Sequence, residues 1–363
     1  MTIFPFERCS DVRNDPTLLN LLCCPACGGE LRFSASETTD DGHIMSGQFF
    51  CNGCGATYPI VRGVPRFMLG ALPDKVAATV DGFGYEWTSS ESALQDTQFS
   101  SADTFLQFIE PVQRDYFKDK LVLDAGCGAG RFTLLAQQFG ARGVIGVDLS
   151  ESVDVAFRST RSLPNVLIIQ ADLFALPLKE SGFNYAFSIG VLHHTASPRG
   201  AFDSILKRVK PSGGISTWVY GRENNGWIIY GLNPIRNHLT SHLPRSVLLG
   251  LSYVLSMPLF LVLKGIYRPI GRNQRLAGLK KALFYFDYLY FLGQFGFHEI
   301  AYIVFDHLVP VIAEYIPYDE FARWFSENGL KNVAITSRAG NSWRGFGVRE
   351  SEVRVTPEYQ SRG

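Results

Sequence analysis

Residues 122–130 read Val-Leu-Asp-Ala-Gly-Cys-Gly-Ala-Gly, a short apolar run that closes on Asp124 and then sets glycine at every second position, Gly126, Gly128 and Gly130. Leu121 to Leu123 have the apolar, partly β-branched make-up of a buried parallel strand. The glycines let the backbone turn sharply where a Cβ would block both the bend and a ligand. Arg131 to Phe139 read as the following helix, whose unpaired N-terminal amides point back at whatever sits on the turn. Strand, glycine turn and helix in this order predict a Rossmann-like α/β domain. A dinucleotide fingerprint needs Gly-x-Gly-x-x-Gly, and counting from Gly126 its last position is Arg131, which weakens an NAD reading.

Spacing downstream extends the pattern. Residues 143–148, Gly-Val-Ile-Gly-Val-Asp, form a second strand ending in Asp148, a little over twenty residues past the first, where an acid takes ribose hydroxyls. Val166 to Gln170 leads into Asp172, Phe183 to Gly190 runs into Val-Leu-His-His, and Gly214 to Tyr220 makes a fifth run. Five apolar runs separated by helix-length segments predict a parallel, doubly wound sheet. Each acid alone is a natural helix N-cap. Several acids and a glycine loop at strand C-termini point instead to a ligand, because open α/β sheets bind at that edge.

The glycine run resembles the Asp-x-Gly-x-Gly-x-Gly motif of class I S-adenosylmethionine-dependent methyltransferases, a resemblance that covers residues 119–221. It implies a seven-stranded sheet and S-adenosylmethionine as cofactor. By the same resemblance Asp124 and the loop hold the methionine moiety, Asp148 the ribose and Asp172 the adenine, with Arg131, Leu173 and Gly190 beside them. Phe83-Gly-Tyr-Glu-Trp87 is similar to an aromatic segment that precedes the glycine loop in ribbon-fused methyltransferases, and implies that Tyr85 and Trp87 cover the cofactor. Aromatics docking a linker on the core would look the same.

The 363 residues suit one large domain with additions, and 34 basic against 34 acidic side chains give a formal charge of zero. No global field draws such a chain to nucleic acid, which is therefore disfavoured as a partner. The N-terminus shows no basic region followed by an apolar core, so cytoplasmic residence is expected. Four of the seven cysteines fall as Cys24-Pro-Ala-Cys27 and Cys51-Asn-Gly-Cys54, the spacing of a tetrahedral and, with no open position, structural zinc site. The residues after them resemble the end of zinc-ribbon domains related to the activator subunit of tRNA and protein methyltransferases.

The chain thus divides into an N-terminal segment (1–20), the ribbon (21–70), a linker (71–118), a methyltransferase core (119–221 and 317–350), a helical insertion (222–316) and a flexible tail (351–363). Such an insertion is far longer than a connecting loop and is expected to cap the acceptor site. Within it residues 247–263 carry no charge, fall short of the ~20 residues a span needs, and are broken by Pro258, which favours a buried helix. The basic residues Arg245, Lys264, Arg268, Arg272 and Arg275 keep open a peripheral membrane contact through 245–275.

Methyl transfer needs alignment and removal of a proton, so His193 and His194 at the end of the fourth strand are candidate bases, with Asp306 and His307 in the insertion beside them. A capping or cofactor-binding role fits either histidine equally. An Asn-Pro-Pro-Tyr type sequence is absent at this position, which favours O- or C-methylation of a small, lipid-linked or sugar-linked acceptor. The alternatives are an RNA or translation-factor methyltransferase and a noncatalytic S-adenosylmethionine-binding module.

Overall fold

The computed structural model describes residues 15–39, 42–89 and 101–351. Most of the expected N-terminal segment, residues 90–100 of the linker and nearly all of the tail lie outside the described residues.

Four strands come first, β1 (Leu31–Thr38), β2 (Ile44–Cys51), β3 (Thr57–Val61) and β4 (Val64–Phe67). The main sheet follows with β5 (Leu121–Ala125), β6 (Gly143–Asp148), β7 (Val166–Ala171), β8 (Phe183–Ile189) and β9 (Val209–Tyr220), then the hairpin β10 (Lys331–Arg338) and β11 (Ser342–Val348). Every residue of β5 and of β7 is buried, the mark of strands covered on both faces. Strand β9 begins at Val209 rather than Gly214, because the Lys210-Pro211-Ser212 stretch stays within the strand.

Strand order is β1-β2-β3-β4-β7-β6-β5-β8-β9-β11-β10. The expected seven strands therefore form one contiguous part of an eleven-stranded sheet, which the ribbon extends. It does so through a parallel pairing of β4 with β7, Arg66 opposite Gln170 and Phe67 opposite Ala171. That contact covers the backbone edge β7 would otherwise present to solvent. Chain order reverses at β5, with β6 on one side and β8 on the other, and this switch point is where a doubly wound sheet opens a crevice.

Residues 222–316 are largely helical, the longest helices being Arg245–Val262 and Phe297–Leu308. The segment leaves and re-enters at one place: Gly221 bridges Ile316, Arg222 N donates to Ile316 O, and Ile316 N donates to Tyr220 O. The Arg245–Val262 helix corrects the expectation of a buried helix. Leu248, Ser252 and Ser256 are buried, whereas Val254, Met257 and Leu261 are at least 60% exposed. Composition gave its helicity and missed that only one narrow face meets the Phe297–Leu308 helix. With its continuation to Arg272 it is long and apolar enough to cross a membrane by length and composition, with 22% of the apolar window buried.

Candidate active site

The four thiols meet at the end of the ribbon. Their sulfur atoms all lie within 4.8 Å of one another, with Cys24 to Cys54 at 3.7 Å and Cys27 to Cys51 at 3.4 Å. Zinc–sulfur bonds of ~2.3 Å in a tetrahedron put the sulfurs ~3.8 Å apart, so the quartet has the size of a closed zinc site. A Cβ on Gly29 would sit 3.2 Å from both Cys27 and Cys51 Sγ, which explains a glycine there. Gly53 N and Tyr58 Oη bond Cys51 and Cys24 at 3.3 and 3.1 Å, outer-layer contacts that orient the ligands.

A cavity of about 400 Å³ opens at the switch point, between the glycine loop and the helical insertion. Gly126, Cys127, Gly128, Arg131, Asp148, Asp172, Leu173 and Gly190 line the half nearer the sheet. Gly126 has φ 89°, and a Cβ there would meet Val191 at 2.2 Å, so no other residue fits. Asp148 is tied into the turn: Oδ2 accepts from Gly128 N at 2.9 Å, and Oδ1 from Ser150 N and Oγ at 2.9 and 2.7 Å. Asp172 accepts from Phe174 N at 2.9 Å, so it caps a short helical turn while also facing the cavity. Trp87 lies over the loop, 3.4 Å from where a Cβ of Gly128 would be, and the Arg131 guanidinium stacks on its indole at 4.7 Å.

Four of the expected site residues do not line the cavity. Tyr85 turns away from the loop and packs on Phe305, ring centres 6.2 Å apart. Asp124 is buried beneath the glycine loop, where Oδ2 accepts from Thr133 Oγ1 at 2.6 Å and burial raises its pKa to about 7. Gly130 starts the next helix against Ala156. His193 is fully buried behind its neighbour, its Nδ1 accepting from Tyr220 N at 3.4 Å.

His194, Asp306 and His307 do line the other half. The His194 Nδ1 lies 2.7 Å from Ile312 O, and a carbonyl can only accept, so Nδ1 carries the proton and Nε2 is the acceptor. Burial lowers the pKa of both His194 and His307 to about 4, leaving both rings neutral near pH 7. Burial acts oppositely on Asp306, raising it to about 6, while the Tyr220 hydroxyl, 3.4 Å from Oδ2, and Arg131 and Arg236 favour its ionised form. Glu86, buried close by, is pushed well above its ordinary range by burial and by Asp306. Burial thus raises both acids, and Asp306, at about 6, is the carboxylate able to take a proton at neutral pH. The aromatic wall here is Tyr220, 5.7 Å from Tyr315 and 6.1 Å from His307, both ring pairs 25° from parallel. Sequence reasoning missed Glu86, Tyr220, Arg236, Tyr315 and Arg338. Glu86 sits inside the aromatic segment already singled out, and the others carry no motif.

Residues 123–217 match the model of a methyltransferase domain, and residues 15–63 that of Trm112p-like proteins. The core belongs to the S-adenosylmethionine-dependent methyltransferases, and the ribbon is Trm112-like. The methyltransferase domain fits S-adenosylmethionine as its cofactor, and the four ribbon cysteines are compatible with structural zinc. The chain is 35% identical over 100 residues to a tRNA U34 carboxymethyltransferase of Ruthia magnifica subsp. Calyptogena magnifica, covering 26% of this chain and 31% of that protein. It is 43% identical over 68 residues to protein arginine N-methyltransferase 1 of Saccharomyces cerevisiae, 18% of each chain. A solved complex of the Haloferax volcanii Trm112 methyltransferase activator with a methyltransferase aligns at 13% identity and TM-score 0.43, over 77% of this chain and 100% of that one. The chain spans less than half the length of the curated relatives it matches.

Several of those relatives are tRNA U34 carboxymethyltransferases, and this overturns the expectation that nucleic acid is disfavoured in favour of a small, lipid-linked or sugar-linked acceptor. The physical error was to read a whole-chain charge of zero as a statement about one pocket mouth. Net charge averages over a surface, whereas phosphate contacts need only a local cluster.

Proposed function

We propose that this protein is an S-adenosylmethionine-dependent methyltransferase whose acceptor is a nucleotide of an RNA, acting in the cytoplasm. The observation that carries this reading is the near-parallel wall of Tyr220, Tyr315 and His307 in a cavity continuous with the glycine loop. A flat aromatic wall suits a planar base taken out of its stack, which is how enzymes reach the atoms of a nucleobase. The tRNA-modifying relatives support the same choice. An intact glycine loop with a poised carboxylate argues against a merely binding module.

The bound cofactor supplies a methyl group on a sulfonium sulfur. The helices of the insertion and Trp87 keep water from the cavity, and the aromatic wall would hold the base beside the cofactor half. With that group bound, the Asp306 carboxylate would take any proton the acceptor loses. His194 and His307, neutral and with one nitrogen each engaged, position the base.

Purified protein with methyl-labelled S-adenosylmethionine, presented separately with total tRNA, ribosomal RNA, protein and lipid extracts, tests this. Label that nuclease releases from the RNA fraction is expected. Label confined to nuclease-resistant protein or lipid would refute the RNA reading while leaving the methyltransferase core intact.

A further inference from the structure

The Arg245–Val262 helix, with its continuation to Arg272, has the polarity of a surface helix inverted. The stripe turned to the protein holds Leu248, Ser252, Ser256, Leu263 and Tyr267, all buried, and both serines are wholly covered. Ser252 Oγ satisfies itself on the helix's own Leu248 O at 2.9 Å. The opposite stripe, Val247, Val254, Met257 and Leu261, is more than half exposed at every position. Those four recur at steps of seven, three and four, one face of a helix about 20 Å long. No charged residue stands between Arg245 and Lys264. A helix facing water turns its polar residues outward, and an uninterrupted aliphatic stripe marks a surface that something covers.

Charge says what covers it. Residues 224–286 contain eight basic side chains and no acid, so the zero charge of the whole chain hides a positive segment balanced by an acidic excess elsewhere. Arg245 is paired with Asp81, and Lys264 donates to the carbonyls of Gly293 and Phe295 at 2.8 and 2.7 Å. Arg272, Arg275 and Lys281, which follow the aliphatic stripe, are exposed. Pairing of this face with a second copy would bring two segments of like charge together with no acid to offset them. RNA would meet the cations and leave the aliphatic stripe wet. A crossing of the bilayer does not fit either, because the inward stripe is covered from Leu248 to Tyr267 and its partner helix Phe297–Leu308 has 12 residues, too few to cross beside it. An anionic lipid surface takes both features at once, aliphatic side chains at the acyl boundary and cations at the headgroups.

We propose that the outer face of the Arg245–Arg272 helix docks the protein on an anionic lipid bilayer, lying in the plane of its surface. The docking does not depend on which acceptor is methylated. The insertion then serves two sides: the Phe297–Leu308 helix carries Asp306 to the cavity, and the helix packed on its back holds the enzyme at a membrane surface.

Co-sedimentation of the full zinc-loaded chain with phosphatidylcholine vesicles, and with vesicles in which about one lipid in three is phosphatidylglycerol, tests this. The unaltered protein should bind the anionic vesicles at least about tenfold tighter than the neutral ones, and less tightly as salt is raised. Met257→Asn with Leu261→Asn should weaken binding to the anionic vesicles by at least about tenfold. Arg272→Gln with Arg275→Gln and Lys281→Gln should weaken it on the order of a hundredfold, about fivefold per cation. Both variants should keep S-adenosylhomocysteine affinity within about twofold, which reports an intact fold. Should the Asn pair fail to fold, Val254→Asn carries the same comparison. Equal binding to the two vesicle types, or none to either, overturns the proposal. A dimer of the unaltered protein that the Asn pair abolishes would give the face to a second copy and also overturn it. If the Asn pair binds vesicles as tightly as the unaltered protein while the Gln variant loses tRNA as well as vesicles, the cations read RNA and the lipid assignment falls.

Discussion

The ribbon and the insertion both lie outside the seven strands of the catalytic sheet, yet they attach by different physics. The ribbon joins through backbone: β4 pairs with β7, and Arg66 reaches across to Gln170 at 2.8 Å and to Asp154 in a buried ion pair. Gln170 in turn donates to Leu149 O at 2.9 Å, one residue from Asp148. The insertion joins through side chains over a cavity, and its own apolar residues gather in two small clusters apart from the main core. An element held by strand pairing and buried charge fixes a loop in place; an element held over a cavity shapes what enters it.

The largest effect that would break this contrast lies in the metal site. Metal analysis of the unaltered protein should give one zinc per chain, and Cys24→Ser with Cys51→Ser should abolish it, withdrawing on the order of 10 kcal/mol of metal-binding free energy. Because Arg66 and Gln170 hold the segment beside Asp148, S-adenosylmethionine affinity should fall as well, by about tenfold on loss of one such support. A double variant that keeps its zinc would show that the thiols are not the ligands.

Next in size is the insertion's contribution to chemistry. Asp306→Asn should slow turnover by about 10²–10⁴-fold with S-adenosylhomocysteine affinity unchanged. Since the carboxylate is the active form and titrates at about 6, turnover of the unaltered protein should rise with pH through that value and level off above it. Below it the rate should drop about tenfold per pH unit. A pH profile that keeps this limb in the Asn variant would move the role of base to another group, with Glu86, Arg131, Arg236, Tyr220 and His307 facing it.

Arg66→Ala tests the ribbon's attachment more gently. Arg66 and Asp154 have side-chain exposures of 8% and 11%, and removing one partner of a buried pair costs about 3–5 kcal/mol. Arg62 also contacts Asp154, so the low end of that range is expected in a denaturant titration. The smallest effect belongs to the outer face of the Arg245–Val262 helix: Val254→Asn, at a residue 65% exposed, should change stability by less than about 0.5 kcal/mol. A large loss there would mean that the face is covered in solution.

Sequence reading reached furthest where chemistry imposes spacing. The glycine run, Asp148 and the paired cysteines sit where their intervals put them, because a turn of φ near 90° at Gly126 and a tetrahedron of sulfurs tolerate few alternatives. His193 and His194 were indistinguishable as neighbours in sequence, since only the fold decides that one faces the cavity and the other the protein interior. Asp124 and Tyr85 followed a family pattern but point to Thr133 and Phe305 instead. Arg338 gave no signal at all: its surroundings are assembled from residues 108 and 291, far away along the chain.

Gly221 and Ile316 meet side by side at the end of β9, so the whole insertion hangs from a doorway one residue pair wide. Length added or lost inside a loop whose ends already touch costs little, about 0.6 kcal/mol per doubling. The sheet and its cofactor loop are thus insulated from drift in the cap. A cassette joined at residues 221 and 316 could therefore be exchanged in the laboratory without disturbing the sheet beneath it.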